Sequence, residues 1–383
     1  MKILVTTDTV GGVWDHTVTL ARQLDALGHE VLMAVIGQPR DERLARVPAG
    51  VRVVSRPYRL EWMADAEDDV RAAGEWLRDL AALWDADVAH LNQMAYAAAG
   101  FDAPVLTAVH SDVLSWWTHV QGCEAPAAEW AGYARMVRDG LRASDAVVTP
   151  TRYQAGLLWT HYGARPTRVI HNGVELPPEE TAPAREDVVL SVGRLWDRGK
   201  GADVLDEAVC LLGEDHPSFP PVHVLGETAA PHGEVVTARY LVMHGRVERA
   251  EVDEWMRRAS IYAAPSRYEP FGLAPLEAAL HGCALVLSDI GTFRELWNGC
   301  AEFFPSGDAG ALADALARLH DDPVRRDALA SAARKRALRR YTAPRMAEEY
   351  VALYRQLAAR RPRRPRVVVE QAMDLAPRLA VAS

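Results

Sequence analysis

The amino-acid sequence predicts an α/β protein made of two parallel-sheet lobes joined by a short hinge, and three observations carry that prediction. The chain has 383 residues, more than one hydrophobic core ordinarily serves, so two domains of roughly 150–200 residues are expected. Short apolar runs alternate with helix-period segments along most of its length, the signature of parallel strands flanked by helices. From Val174 to Glu186 that alternation lapses: the stretch ELPPEETAPARE that follows Val174 is rich in Pro, Glu and Ala with no apolar period, which reads as a linker.

In the first half, strands are expected at 2–6, 30–35, 51–54, 88–91, 105–109, 146–149 and 168–170. The first runs into a Gly-Gly turn and then a helix, 16–27, with Val18, Leu20, Leu24 and Leu27 on one side and Gly28 closing it. Further helices are expected at 67–84, 126–143 and 151–163. Past the linker come strand 188–192, helix 201–213, strands 222–225 and 240–243, helix 250–257, strand 261–264, helix 272–281, and strands 284–287 and 301–304. Three helices, 309–320, 323–340 and 343–360, precede a tail that begins RRPRRPR. In open parallel sheets ligands bind beyond the carboxyl ends of the strands. Two facing lobes therefore bring the loops that follow their strands into one interdomain cleft.

Composition removes several classes of function. With 49% hydrophobic and 25% charged residues the chain is too apolar for disorder. A net charge of −9 argues against nucleic-acid binding through bulk positive charge. No run approaches 18 apolar residues, so no spanning helix is expected. The start, MKILVTTDTVGG, reads as a strand and not as a signal peptide. Cys123, Cys210, Cys283 and Cys300 lie far apart, as reduced thiols of a cytoplasmic protein would. Of 43 basic residues only Lys2, Lys200 and Lys335 are lysine. A lysine in a glycine-rich loop therefore invites a specific explanation, and holding phosphate is one.

Four segments after expected strands could carry chemistry. In PSRYEPFGLAPLEAALHG, Glu269 follows a strand, Pro270-Phe271-Gly272-Leu273 opens a helix, and Glu277 lies about two turns inside it. A helix start offers unpaired N–H groups to a phosphate or sugar hydroxyl, and Glu269 can accept from a diol. Phe271, Leu273 and Leu276 are expected to point to the core. In SVGRLWDRGKG, Gly193 permits a turn and Arg194 and Lys200 project as two cations suited to a diphosphate. Its order is not that of a Walker loop, and a solvated basic turn with Asp197 and Asp203 as partners is the alternative. In TDTVGGVWDH, Gly11-Gly12 lets the backbone approach a ligand at a helix start, or is simply a tight turn. It lacks the G-x-G-x-x-G dinucleotide pattern. Lastly, His110-Ser111-Asp112 ends a strand ahead of Trp116-Trp117. The histidine can hydrogen-bond a substrate or be structural, and the tryptophans can stack on a sugar or pack in a core.

Two further features are expected to be structural. Asp85-Ala86-Asp87 has the spacing that holds metal in some sugar-transfer enzymes, but it precedes a strand, at the wrong edge of the sheet. Residues 334–366 carry 12 basic and two acidic residues. They read as a solvated helix face and tail, with a membrane-surface contact as the sharper alternative.

The Gly-Gly turn, VIHNGVE at 169–175, SVGRLWDRGKG at 191–201 and PSRYEPFGLAPLEA at 265–278 together resemble the retaining glycosyltransferases of family 4, which have the GT-B fold of two Rossmann-like lobes. The resemblance runs from Met1 to about Leu357. It implies an acceptor-side lobe at 1–173, a linker at 174–186, a donor-side lobe at 187–342, a helix at 343–360 crossing back to the first lobe, and a basic tail at 361–383, with Asn172-Gly173-Val174 at the interdomain turn. It implies a nucleotide-diphosphate sugar as donor and no metal. Arg194 and Lys200 would grip the diphosphate with Gly11, Gly12, Phe271 and the amides near Gly272-Leu273. Glu269 would bind donor-sugar hydroxyls, Glu277 the ribose, and His110 the sugar near the reacting carbon. The segment His244-Gly245-Arg246-Val247 would read the base, with Val247 against the donor. His110 is followed by Ser111, where the family frequently has Asp.

Trp14, Trp116 and Trp117 suggest an aromatic acceptor pocket, and the acceptor stays open among a saccharide, a lipid and a small metabolite. The basic C-terminal segment leaves room for a peripheral contact at the inner membrane surface. A 2-epimerase of the same fold, a non-catalytic nucleotide-sugar binder and a Rossmann oxidoreductase are the rival readings; the missing dinucleotide pattern disfavours the last.

Overall fold

Each half of the chain forms one parallel sheet, and the direction of winding reverses once within each. The computed structural model describes residues 1–177, 185–230, 233 and 235–360. The first sheet contains β1 (Lys2–Asp8), β2 (Glu30–Ile36), β3 (Arg52–Arg56), β4 (Val88–Leu91), β5 (Val105–Ala108), β6 (Ala146–Thr149) and β7 (Arg168–Val169), in the order β3-β2-β1-β4-β5-β6-β7. The second contains β8 (Glu186–Val192), β9 (Val222–Leu225), β10 (Val242–Gly245), β11 (Ala259–Ala264), β12 (Ala284–Ser288) and β13 (Glu302–Phe304), in the order β10-β9-β8-β11-β12-β13. Winding therefore reverses between β1 and β4 and again between β8 and β11, where a doubly wound sheet opens a crevice at its carboxyl edge.

The strands read as continuous apolar runs because helices cover both faces. Along β1, Ile3 and Val5 join the hydrophobic cluster on one side while Leu4 joins the cluster on the other, as the period of two requires. Helix Val13–Ala26 buries Val18, Leu20 and Leu24. Leu27, expected on that face, is 52% exposed, because the helix has ended and Leu27 is its cap. Helix Gly291–Trp297 was not expected; it is seven residues long and shows too little period to register in the sequence.

The connection between lobes is stitched to the end of the second lobe. The Val174 N–H donates to the Tyr341 carbonyl at 3.1 Å, and the Ala343 N–H donates to the Val174 carbonyl at 2.9 Å. A Cβ on Gly173 would lie 2.2 Å from the Thr342 carbonyl oxygen, so only glycine admits this approach. Helix Ala343–Arg360 then crosses to the first lobe, where Met346, Tyr350, Val351, Tyr354 and Leu357 enter the same cluster as Ile3, Val5 and Leu24. Residues 178–184 of the linker and the tail at 361–383 lie outside the described residues.

In Asp85-Ala86-Asp87, Asp87 is structural: its carboxylate accepts from the Lys2 N–H at 2.8 Å, and its own N–H donates to the Lys2 carbonyl at 2.8 Å. Most described basic residues of the C-terminal segment are exposed, as a solvated face requires, and two of them also reach backbone carbonyls. Arg334 donates to the Leu280 carbonyl at 3.0 Å, and Arg336 donates to the carbonyls of Leu296 and Asn298, closing the ends of two helices. Among the described residues no helix is long and apolar enough to cross a membrane, and the four cysteines are unpaired.

Candidate active site

The carboxyl ends of β1, β5, β8 and β11 open onto a single cleft of about 1060 Å³ between the lobes. The loop after β8 supplies its cations. Arg194 Nη2 donates to Asp197 Oδ2 at 2.9 Å, and the guanidinium lies 5.2 Å from the centre of the Trp196 ring. Asp197 also accepts from the Gly199 N–H at 2.9 Å, which closes the short turn Arg198–Lys200. Burial acts to raise the Asp197 carboxyl, but the charges of Arg194 and Lys200 prevail and hold it below its ordinary value. Gly201 then turns the chain at φ 70°, against the backbone of Pro265 in the loop after β11.

That neighbouring loop carries Glu269, whose Oε2 accepts from Lys200 Nζ. The two expected cations are therefore not free: one is paired with Asp197 and the other with Glu269. The partner of Arg194 is visible locally in the sequence. The partner of Lys200 lies 69 residues away and becomes a neighbour because β8 and β11 are adjacent strands.

Gly272, at φ 90°, starts helix Leu273–His281 facing the cleft. Leu273, expected in the core, is only partly buried and also lines the cleft, whereas Phe271 is buried in the core and closes the floor. Glu277 lines the same wall and bonds to Arg249 at 2.6 Å; burial raises its carboxyl despite that guanidinium. Sequence reasoning missed Arg249. It stands two residues beyond Val247, which also lines the cleft, and only the packing of helix Arg249–Arg258 on the glutamate helix reveals it.

The first lobe faces these groups across a narrow gap. A Cβ on Gly11 would lie 2.5 Å from Arg194 Nη1, and one on Gly12 would lie 3.4 Å from Leu273 Cδ1. The Gly-Gly pair is thus a place of close approach as well as a turn. His110 Nε2 sits 2.8 Å from Asn92 Oδ1. The Asn92 amide is oriented by Nδ2 donating to the Thr6 carbonyl and to Thr17 Oγ1, so its Oδ1 can only accept. His110 therefore carries its proton on Nε2 and keeps Nδ1 as an acceptor. Burial pushes the imidazole down to about 4, which leaves it neutral at pH 7. The His16 ring lies 4.5 Å away, fully enclosed, with neither nitrogen bonded among the described residues.

The aromatic acceptor pocket expected from the sequence is not assembled. Trp14 is wholly buried in the core of the first lobe, because it falls on the sheet-facing side of helix Val13–Ala26. Trp117 is half-buried, packs edge-on against Trp116 and does not line the cleft. Trp116 does line it, but its Nε1 donates to Asp197 at 3.2 Å, which ties the two lobes together beside Arg194.

Residues 10–176 match the family profile described as Glycosyltransferase Family 4, and residues 186–322 match that described as Glycosyl transferases group 1. The chain belongs to glycosyltransferase family 4. Its relatives include a phosphatidyl-myo-inositol mannosyltransferase of Mycobacterium leprae, 27% identical over 373 residues, covering 92% of this chain and 94% of the relative. A D-inositol 3-phosphate glycosyltransferase of Xylanimonas cellulosilytica is 34% identical over 252 residues, covering 58% of this chain and 59% of that one. Among solved structures, sucrose-phosphate synthase from Thermosynechococcus elongatus superposes with a TM-score of 0.79 at 21% identity, covering 94% of this glycosyltransferase and all of that chain. HepE of Anabaena with UDP and glucose superposes with a TM-score of 0.70 at 18% identity, covering 92% and 99%. The fold of this glycosyltransferase is accordingly GT-B, and its activity is transfer of a glycosyl group.

Proposed function

We propose that the sugar comes from a nucleotide-diphosphate sugar lodged in the interlobe cleft and passes to an acceptor hydroxyl with retention of configuration and no metal ion. The observation that carries this reading is the convergence of Arg194, Lys200, the helix start at Gly272-Leu273 and Glu269 on one cavity wall. When the bond from sugar to diphosphate breaks, the diphosphate gains negative charge and the sugar becomes oxocarbenium-like. Fixed cations and helix amides aimed at the departing phosphate stabilise that charge as it develops, and they do so without reorganising.

The ion pairs describe how the chain holds these cations before the donor enters. Asp197 and Glu269 keep Arg194 and Lys200 oriented, and an entering diphosphate takes a share of both. Glu269, partnered by Lys200, is placed to accept from sugar hydroxyls. Glu277, steadied by Arg249, accepts from the ribose diol, and the neutral His110 accepts from a sugar hydroxyl at Nδ1. With retention, the acceptor attacks from the face the diphosphate leaves, and a phosphate oxygen takes its proton. Glu269 is then an orienting group and not the nucleophile.

A thermal-shift panel of UDP-, GDP-, ADP- and dTDP-sugars tests the donor. One of them is expected to raise the melting temperature in proportion to its affinity. If none does, the donor assignment fails. Chelation by EDTA is expected to leave transfer unchanged; loss of activity restored by a divalent ion would overturn the metal-free reading.

A further inference from the structure

We propose that the acceptor carries an anionic oxygen group, a phosphate ester or a carboxylate, and that Arg43 on the first-lobe wall of the cleft receives it. This rests on the donor reading above. Arg43 belongs to the short helix Asp41–Leu44 that follows β2, and it lines the cleft opposite the second-lobe wall that holds Arg194 and Lys200. Two of the cations near it are engaged. Arg46 pairs with Asp15 at 2.6 Å, and Arg246 pairs with Glu227 of its own lobe at 3.5 Å and reaches across to Glu42 at 3.8 Å.

Arg43 differs from them. Among the described residues no carboxylate lies within ion-pair distance of its guanidinium, and Nη1 is enclosed without any acceptor. Burial, reinforced by the charges of Arg246 and Arg46, lowers its affinity for its proton despite the attraction of Asp15 and Asp8. The guanidinium lies 5.5 Å from the centre of the Trp14 ring, a contact that steadies it but gives the enclosed Nη1 no acceptor, and an anion would supply one. Its planar fork matches the paired oxygens of a phosphate or a carboxylate. Arg43 and Arg194 line the same cleft from opposite lobes, so an anion held by Arg43 would share that cleft with the diphosphate. The donor's own phosphates already have Arg194, Lys200 and the helix amides.

The test titrates the protein, saturated with the nucleotide diphosphate that the donor panel identifies, with inorganic phosphate, glucose 6-phosphate and glucuronate, against glucose as the neutral control. Calorimetry is expected to show the anions binding and glucose not. Arg43→Ala is expected to weaken the anions roughly 10- to 100-fold, the range for losing a hydrogen bond to a charged group, and to weaken the nucleotide far less. Arg43→Lys, which keeps the charge and loses the fork, is expected to fall between. Glucose binding as well as its phosphate, or anion affinity unchanged in a folded Arg43→Ala protein, would overturn the proposal. So would a larger loss of nucleotide than of anion, which would assign Arg43 to the donor. Failure of every nucleotide to bind sinks the donor reading instead. In a parallel arm with phosphatidylglycerol vesicles, retention that is lost in Arg43→Ala assigns the anion to a lipid headgroup, and no retention assigns it to a soluble ester.

Discussion

In the proposed mechanism, Lys200 and Arg194 are where a single side chain decides the chemistry. Removing one preorganised donor to developing charge costs roughly 10²-fold or more in rate, so Arg194→Ala and Lys200→Ala are each expected to lower transfer by at least that much. Near-wild-type turnover in both variants, measured at saturating donor, would exclude them from the mechanism. The buried histidines give a second expectation, in stability. Burial holds His90 at about 3, His110 at about 4, and His16 well below 6.5. The unfolded chain therefore takes up protons between pH 6.5 and these values while the folded chain does not. Stability contributed by keeping the rings neutral is present above 6.5 and is lost as the pH falls through the window, by about 1.4 kcal/mol per pH unit for each ring. Glu61 works in the opposite direction. Burial raises it to about 7, so its contribution is present at low pH and is lost as the pH rises from 4.5 to 7. Thermal melting from pH 7.5 to 4.5 is expected to show net loss on acidification, and Glu61→Gln is expected to steepen it. A flat profile would mean that the histidines are solvated.

At the scale of elements, loops that follow adjacent strands are held together by backbone approach. Gly201 illustrates the constraint. Its φ of 70° favours glycine, and a Cβ would meet the Pro265 carbonyl oxygen at 2.0 Å, far inside contact distance. Gly201→Ala has to move the loop of Lys200 away from the loop of Glu269. The backbone conformation alone costs about 1–2 kcal/mol. The variant is expected to melt several degrees lower and to lose transfer out of proportion, because Lys200 is displaced with the loop. A variant with wild-type kinetics would show that the two loops act independently. The lobes are also joined element to element. Glu295, on helix Gly291–Trp297, accepts from the Arg152 and Tyr153 N–H groups at 2.9 Å each, which caps the start of a first-lobe helix from the second lobe. Nothing near Arg152 in the sequence announces that partner.

In the whole molecule, the last helix makes the first lobe depend on the end of the chain. Tyr350 and Tyr354 are buried against the first-lobe core, and Tyr354 OH bonds to His90 Nδ1 at 2.6 Å. Truncating a large buried aromatic costs about 3–5 kcal/mol, so Tyr354→Ala is expected to destabilise the first lobe by that amount. Loss should appear as earlier hydrogen exchange in β1 and β4 than in β8 and β11; equal loss in both lobes would mean that they unfold as one unit.

The strands, most helices, the two-lobe division and the loops bearing Arg194, Lys200, Glu269 and Glu277 were all legible in the sequence, because apolar period and turn residues are local signals. What those loops touch was not. Trp14 shows the limit: a tryptophan near a Gly-Gly turn reads the same whether it faces a ligand or a sheet, and only helix phase against the packed core sends it inward. Arg249 and Asn92 are silent in sequence for the same reason, since their roles come from partners 28 and 18 residues away. The chain's own pattern of apolar and turn residues determined its elements, their order and which loops follow strands. Strand order, and with it the pairing of Lys200 with Glu269, the closeness of Gly11 to Arg194 and the position of Arg43 with no carboxylate partner, was decided only in three dimensions. Contacts between distant segments depend on which strands lie side by side, and a linear pattern does not encode that neighbourhood.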